Sequence, residues 1–273
     1  MEPFVWQENG LFRLAAWEQA YPVVAGMTSR VGPDGGPEPF NLALHVDDDP
    51  QRVVARREAL CRVLGLPPEA FTCTEQVHGN RIVRVTAQDR GRGRLARETA
   101  FPATDGMHTD VPNVLLAAFF ADCVPLFFLD PVRRVIGIAH AGWRGTVLDV
   151  AGEMVRSLAV HYGTRPRDLR VAIGPSIGPC CYEVDERVAA ALRTTFGDDV
   201  PAGVLTAKGG AVTGSICAGR TKSCANEQEF CRKTSKSRLC ARRVRQAASF
   251  PIVRKRGAPG AWPRLWHGPD NRL

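Results

Sequence analysis

No stretch of this chain stays apolar for long enough to span a bilayer, and its opening residues, MEPFVWQENG, show no secretory leader pattern. A soluble, cytoplasmic protein with no membrane partner is therefore expected. No segment repeats at a fixed period, and no local zinc pattern such as CxxC occurs. Histidines number only six, too few for chemistry that needs many imidazole ligands. Acidic residues nearly vanish from one region: residues 211–273 hold 14 Lys and Arg against 3 Asp and Glu.

That last scarcity explains the net charge of +8. Residues 1–210 carry 22 basic and 25 acidic side chains, so the basic character belongs to the tail alone, and no nucleic-acid partner is implied for the rest. With 273 residues and 44% hydrophobic composition, the chain can bury a sizeable core. Nine cysteines without a secretory signal read as thiols or metal ligands, not as a disulfide framework.

Residues 1–48 read as short strands and loops. Asp49-Pro50 is a cap and first turn for a helix over QRVVARREALCRVLG, closed by Gly65. FTCTEQVHGNRIVRV alternates like two strands around a tight turn at His78-Gly79-Asn80, and residues 86–104 read as an exposed loop. A strand ending in AHAG leads through GWRG into one long helix, in which Val147, Val150, Ala151, Met154 and Leu158 recur at helical spacing. DLRVAIGPSIGPCCYEV is a further strand and loop, and DERVAAALRTTFG a further helix.

Between the apolar runs NVLLAAFF and VPLFFLD lie Asp122 and Cys123. A buried cysteine needs no function, but an ionised carboxylate is rarely buried without a partner. QVHGN, ADCVP and AHAGWRG each place one candidate ligand at a strand end: His78, Cys123 and His140. Two imidazoles and a thiolate form a zinc site with one position left for water or substrate. Taken alone, a single histidine at a strand end is more often structural; three among Gly and Pro turns shift the balance. Arg144, in the Gly-framed turn, reads as a phosphate ligand or as a plain surface arginine. Cys180-Cys181 read first as loop thiols.

NLALHVDDDP, QVHGN, ATDGMHTDVPNVLLAAFFADCVPLFFLD, IGIAHAGWRG and VAIGPSIGPCCYEV together resemble the laccase-domain family, over about residues 23 to 210. That family was first labelled multicopper polyphenol oxidoreductase and later recognised as purine nucleoside phosphorylases. The resemblance implies a layered α/β (α+β) sandwich with mixed sheets in a single domain, residues 1–210. It implies a metal, zinc with copper as the alternative, held by His78, Cys123 and His140. It implies purine nucleosides and phosphate as partners: phosphorolysis of adenosine, inosine, guanosine and methylthioadenosine, with adenosine deamination beside it.

Cys123, His78, His140 and Asp122 are the expected catalytic group, Asp122 orienting a ligand imidazole or taking a proton. Arg144, Arg30 and Asn41 are the expected phosphate or substrate ligands. Copper-dependent phenol oxidation and a Cys–His hydrolase with Cys123 as nucleophile are the alternatives. A homo-oligomer is left open.

Near Gly210 the resemblance stops. The family continues with a YWLDL–AN helix and an FFS…GRTGRMAA segment; here stand AVTGSICAGRTKSC and RGAPGAWPRLWHGPDNRL. Read one frame over, allowed codons for VTGSICAGRT include YWLDLCGAN, ASFPI can give FFSH, and GAPGAWPRLWHGP preceded by a G can give GRTGRMAAFMAWP. Residues 211–273 are therefore expected to be a frameshifted, disordered basic tail. DNA sequencing across codon 210 is expected to find a single-base slip relative to related loci; uniform reads in the written frame, with related loci encoding the same tail, would reject it.

Overall fold

The structure is a computed structural model that describes residues 4–33, 36, 38–46, 48–178, 182–197, 204–208, 211–214, 248–249 and 253–254. Short segments open it: β1 (Val5–Gln7), β2 (Leu11–Arg13), the helix α1 (Ala15–Ala20), β3 (Val23–Val24) and β4 (Gly26–Thr28). Helix α2 (Pro50–Val63) starts as expected, with the Asp49 carboxylate accepting from the Gln51 N–H at 2.9 Å. Just past its end, Gly65 takes φ +69°, a conformation that costs glycine nothing.

The middle of the chain is mostly strand: β5 (Phe71–Cys73), β6 (Ile82–Arg84), β7 (Gly106–Thr109), β8 (Leu115–Phe119), β9 (Val124–Asp130) and β10 (Val135–Ala141). Then follow α3 (Trp143–Val147), α4 (Val150–Tyr162), β11 (Arg170–Ile173), β12 (Glu183–Val184) and α5 (Glu186–Phe196). Four segments close the described chain: β13 (Leu205–Lys208), β14 (Ala211–Gly214), β15 (Ala248–Ser249) and β16 (Val253–Arg254). The last three belong to the basic tail, most of which lies outside the described residues.

Among the described residues three sheets form, the large one ordered β1-β2-β4-β15-β8-β16-β3 with β5 beside β8. A second sheet runs β11-β9-β10-β7-β6, and a third β12-β14-β13. Parallel pairs (β5 with β8, β6 with β7) stand among antiparallel ones, so this is the mixed-sheet α/β sandwich expected.

Period-two alternation builds the layers. On β9, Phe127 and Leu129 face the core shared with the large sheet, where Met27, Phe71, Leu115 and Ala117 lie. Leu126 and Phe128 point the other way, onto Val150, Met154 and Leu158 of α4. Helix α5, capped by Asp185, packs Val188 and Leu192 against Trp143 and Val147 of α3.

Two expectations are corrected. The stretch 71–85 is not a hairpin: β5 joins the large sheet through β8, and β6 joins the second sheet through β7. Local alternation marks a strand but not its partner, which long-range packing chooses. The single helix after GWRG is two. Asp149 takes φ +57° and caps α4 by accepting from the Gly152 N–H at 3.0 Å, which ends α3 after five residues.

Among the described residues no helix is long and apolar enough to cross a membrane.

Away from the sheet seam, fully buried His108 lies with its Nε2 2.7 Å from Ser157 Oγ and its Nδ1 3.2 Å from Tyr162 OH. Burial, then the charges of His161 and Arg84, push its pKa down to about 3, against a smaller opposing pull from Asp110. An unfolded histidine titrates near ~6.5. The unfolded chain thus takes up a proton that the folded chain refuses, and stability falls as pH drops from about 6.5 toward about 3. Urea midpoints at pH 7.5 and 4.5 are expected to differ less in His108→Gln than in the parent chain, by on the order of 1 kcal/mol or more; an equal difference in both would refute this assignment.

Candidate metal centre

Two of the candidate ligands lie where the chain passes from the large sheet to the second, and the third lies at the end of a strand within the second sheet. His78 lies on the turn between β5 and β6, Cys123 between β8 and β9, and His140 near the end of β10. Their nearest ligand atoms all lie within 4.8 Å of one another. His78 is exposed, Cys123 half-buried and His140 buried, so the cluster has one open side. The two imidazole rings meet edge to face with centroids 4.8 Å apart, and Phe120 packs on His140 at 5.3 Å.

What holds the imidazoles is Asp105, which the sequence reading passed over. Its Oδ1 accepts from the His140 ring Nδ1 at 2.9 Å and from the His78 backbone N–H at 2.9 Å. Its Oδ2 accepts from the Val77 N–H at 3.1 Å and the Gly79 N–H at 2.7 Å. Three successive N–H groups thus converge on one carboxylate, with His78 in the left-handed region at φ +61°. Burial alone would raise the pKa of Asp105, but the bonds from His140, Gly79 and Val77 outweigh it and keep the carboxyl ionised. Bonding through Nδ1 leaves His140 Nε2 as the ring nitrogen available to a metal. In the sequence Asp105 looks like a turn residue in ATDG. Its only mark is the strand that follows at once, delivering it to the sheet end.

The donor set suits zinc or another borderline metal: two nitrogens, one sulfur and an open side. The backbone leaves room for it at Gly142. A Cβ there would lie 2.8 Å from His78 Cδ2 and 3.1 Å from Cys123 Sγ, which would crowd two of the ligands. Burial, then the charges of Asp122 and Asp105, push the Cys123 thiol up to about 11. Without a cation beside it this thiol stays protonated at neutral pH, which suits a ligand and counts against a free nucleophile.

Other expected residues fare differently. Asp122 is exposed in the turn between β8 and β9, so the buried carboxylate anticipated there is not buried. Its carbonyl accepts from the Ile177 N–H at 3.0 Å. Arg144 is exposed and close enough to His78 that its charge, after burial and His140, helps depress that imidazole's pKa. Asn41 is committed locally: its Oδ1 accepts from the Ala43 N–H at 2.9 Å, and its amide donates to the Ala43 carbonyl and Asp48. Arg30 is half-buried in the loop after β4, where its carbonyl accepts from Phe40 N–H at 2.7 Å. Cys180 and Cys181 lie outside the described residues.

Comparison with known proteins points the same way. The family model described as multi-copper polyphenol oxidoreductase laccase matches residues 25–218. A protein named purine nucleoside phosphorylase YlmD, from Geobacillus stearothermophilus, is 48% identical over 180 residues, covering 65% of this chain and 66% of that one. Its Bacillus subtilis namesake is 44% identical over 174 residues, 63% of this chain and 62% of that one. The matched stretches thus span just under two thirds of those relatives. The crystal structure of Bacillus licheniformis hypothetical protein YfiH superposes with a TM-score of 0.78 at 33% identity, covering 93% of this chain and 100% of that one.

Substituting Asp105→Asn is expected to weaken zinc binding about 10- to 100-fold, the usual effect of losing a carboxylate behind a ligand imidazole. Gly142→Ala is expected to weaken it too, by crowding His78 and Cys123. Competition with a chromogenic chelator measures both; unchanged zinc affinity in the two variants would dismiss the cluster as a metal centre.

Proposed function

Because the chain belongs to the family described as multi-copper polyphenol oxidoreductase laccase, and relatives within it carry the name purine nucleoside phosphorylase, we propose that it is a zinc-dependent purine nucleoside phosphorylase. Adenosine, inosine, guanosine and methylthioadenosine are the substrates, free base and the sugar 1-phosphate the products, and adenosine deamination a side activity. The observation that carries the reading is the His78–Cys123–His140 cluster with one open side and Asp105 behind it.

The proposed reaction balances as a displacement at the sugar anomeric carbon. A phosphate oxygen forms the new C–O bond, the C–N bond to the purine breaks, and its electron pair leaves with the base, which takes up a proton. Positive charge gathers on the sugar during the exchange, so an anion held beside it stabilises the transition state. When bound, zinc supplies Lewis acidity toward an oxygen of substrate or water. Asp105 fixes the His140 ring, and the exposed His78 edge leaves an entry for the nucleoside. Arg144 keeps a cation near that entry.

Neither alternative is favoured by the geometry of the site. Multicopper oxidation needs several ligand clusters, and the described residues contain one group of three. A Cys–His hydrolase needs a thiolate, whereas Cys123 is pushed up to about 11.

We propose further that the chain is out of frame from about residue 210. In keeping with that reading, the family match ends at residue 218. The chain as written and a frame-repaired chain, both zinc-loaded, should be incubated with adenosine with and without phosphate, following adenine, ribose 1-phosphate and inosine. The repaired chain is expected to release adenine only with phosphate, and the written chain to release less; chelation is expected to stop release, and zinc to restore it. Both chains holding metal and consuming no nucleoside would overturn the phosphorylase reading.

A further inference from the structure

A cavity of about 40 Å³ has a lining that includes His45, Arg57, Glu75, Gln76, Arg97 and Phe119. A water needs roughly 10–15 Å³ of such space, so this cavity has room for a group of several heavy atoms. A nucleoside does not fit; a small tetrahedral anion does.

Arg57 is the unusual member. It sits in the middle of α2 and is 1% exposed, yet no carboxylate pairs with it among the described residues. Its Nε donates to the Leu42 carbonyl, and its Nη1 to the carbonyls of Gly93 and Arg94, each at 2.7 Å. The guanidinium also lies over the rings of Phe71 and Phe119, 4.8 and 5.4 Å from their centroids. Nη2 is left without a hydrogen-bond partner among the described residues. A buried cation compensated only by carbonyl dipoles and ring faces is costly, and an anion is what it lacks.

The lining carries a second guanidinium, Arg97, held 2.9 Å from Glu75, with His45 at the rim. Position ties the cavity to the metal centre. The Gln76 amide clamps both the N–H and the carbonyl of Phe119, at 2.7 and 2.8 Å. Gln76 is two residues before His78, and Phe119 precedes the Phe120 that packs on His140. Burial, then the charges of Arg97, Arg57, His140 and His78, push the His45 pKa down, so charges of both groups reach this ring.

We propose that this cavity is the seat of the attacking phosphate, held by Arg57 Nη2 and Arg97 with His45 at its rim. The proposal rests on the phosphorolysis reading and moves the phosphate away from Arg144, Arg30 and Asn41. Charge count favours it: two guanidiniums and one carboxylate line the cavity, a positive surplus that favours an anion.

The test measures calorimetric binding of inorganic phosphate alone to the zinc-loaded full chain, and separately the KM values for phosphate and inosine. Arg57→Lys and Arg97→Gln are each expected to weaken phosphate binding and raise its KM about tenfold or more, the effect of losing one charge-assisted contact. The KM for inosine should stay within about twofold, as for a residue away from that ligand, and Arg144→Gln should leave phosphate affinity within the same margin. Since Arg57 also pins two loops, Arg97→Gln, an exposed position, decides the matter if Arg57→Lys fails to fold. Phosphate affinity unchanged in the variants, absent in the parent chain, or lost instead in Arg144→Gln would overturn the proposal. Phosphate binding that depends on Arg57 and Arg97 in a chain that cleaves no nucleoside would uphold the anion seat and refute the phosphorylase.

Discussion

One buried carboxylate organises this site. Asp105 gathers three consecutive backbone N–H groups and one imidazole N–H, which together offset the cost of removing a charge from water. Each such bond contributes on the order of 1.5–3 kcal/mol when one partner is charged. The bonds also do geometric work. They hold the 77–79 turn in a conformation that places His78 at φ +61°, unusual for a residue with a side chain. They fix the tautomer of His140 by occupying its Nδ1. Two ligands on segments 62 residues apart thus take their positions from the same two oxygen atoms.

The seam between the sheets explains why the ligands gather where they do. Each crossing between the sheets interrupts the ladder, and the interrupted backbone must find partners elsewhere. At the 77–79 crossing those partners are Asp105 oxygens; at the 120–123 crossing the carbonyl of Asp122 accepts from Ile177. Ladder-free turns of this kind let side chains point along the sheet edge, toward one another. The second sheet supplies the firm side, since β10 is buried along its length and carries His140 into the cluster. The turns supply the open side, through His78.

Much of this was legible in the sequence where the physics is local. Asp49-Pro50 and Asp185 announce their helices because caps act within one turn. Apolar runs gave β9 and β10, and the Gly and Pro frames around His78, Cys123 and His140 marked strand ends. What stayed hidden is non-local. Strands β5 and β6 alternate like a hairpin, but each finds its partner across the molecule. Asp122 seemed the carboxylate of interest because it touches Cys123 in sequence; Asp105 takes the buried place because folding brings it to His140. Arg57 hides best. In QRVVARREAL it reads as an exposed arginine on an amphipathic helix, and only the closure of two loops over it makes it buried.

The tail poses a different problem for the site and for the sheets. His78, Cys123, His140, Asp105 and Arg57 all precede residue 210, within the stretch that matches the family. Among the described residues, their mutual contacts use none from the basic tail. The large sheet does not share that independence: β15 stands between β4 and β8, and β16 between β8 and β3, each contributing two residues. Among the described residues, β8 pairs with β5 over three residues and with β15 and β16 over fewer. Since β8 leads straight into the turn that bears Cys123, the pairing of that strand bears on where the thiol stands. A domain's whole margin is about 5–15 kcal/mol, so each ladder bond on β8 weighs heavily. The cluster's chemistry is therefore encoded apart from the tail, while the stiffness that keeps Cys123 within reach of the two imidazoles depends on what occupies those sheet positions.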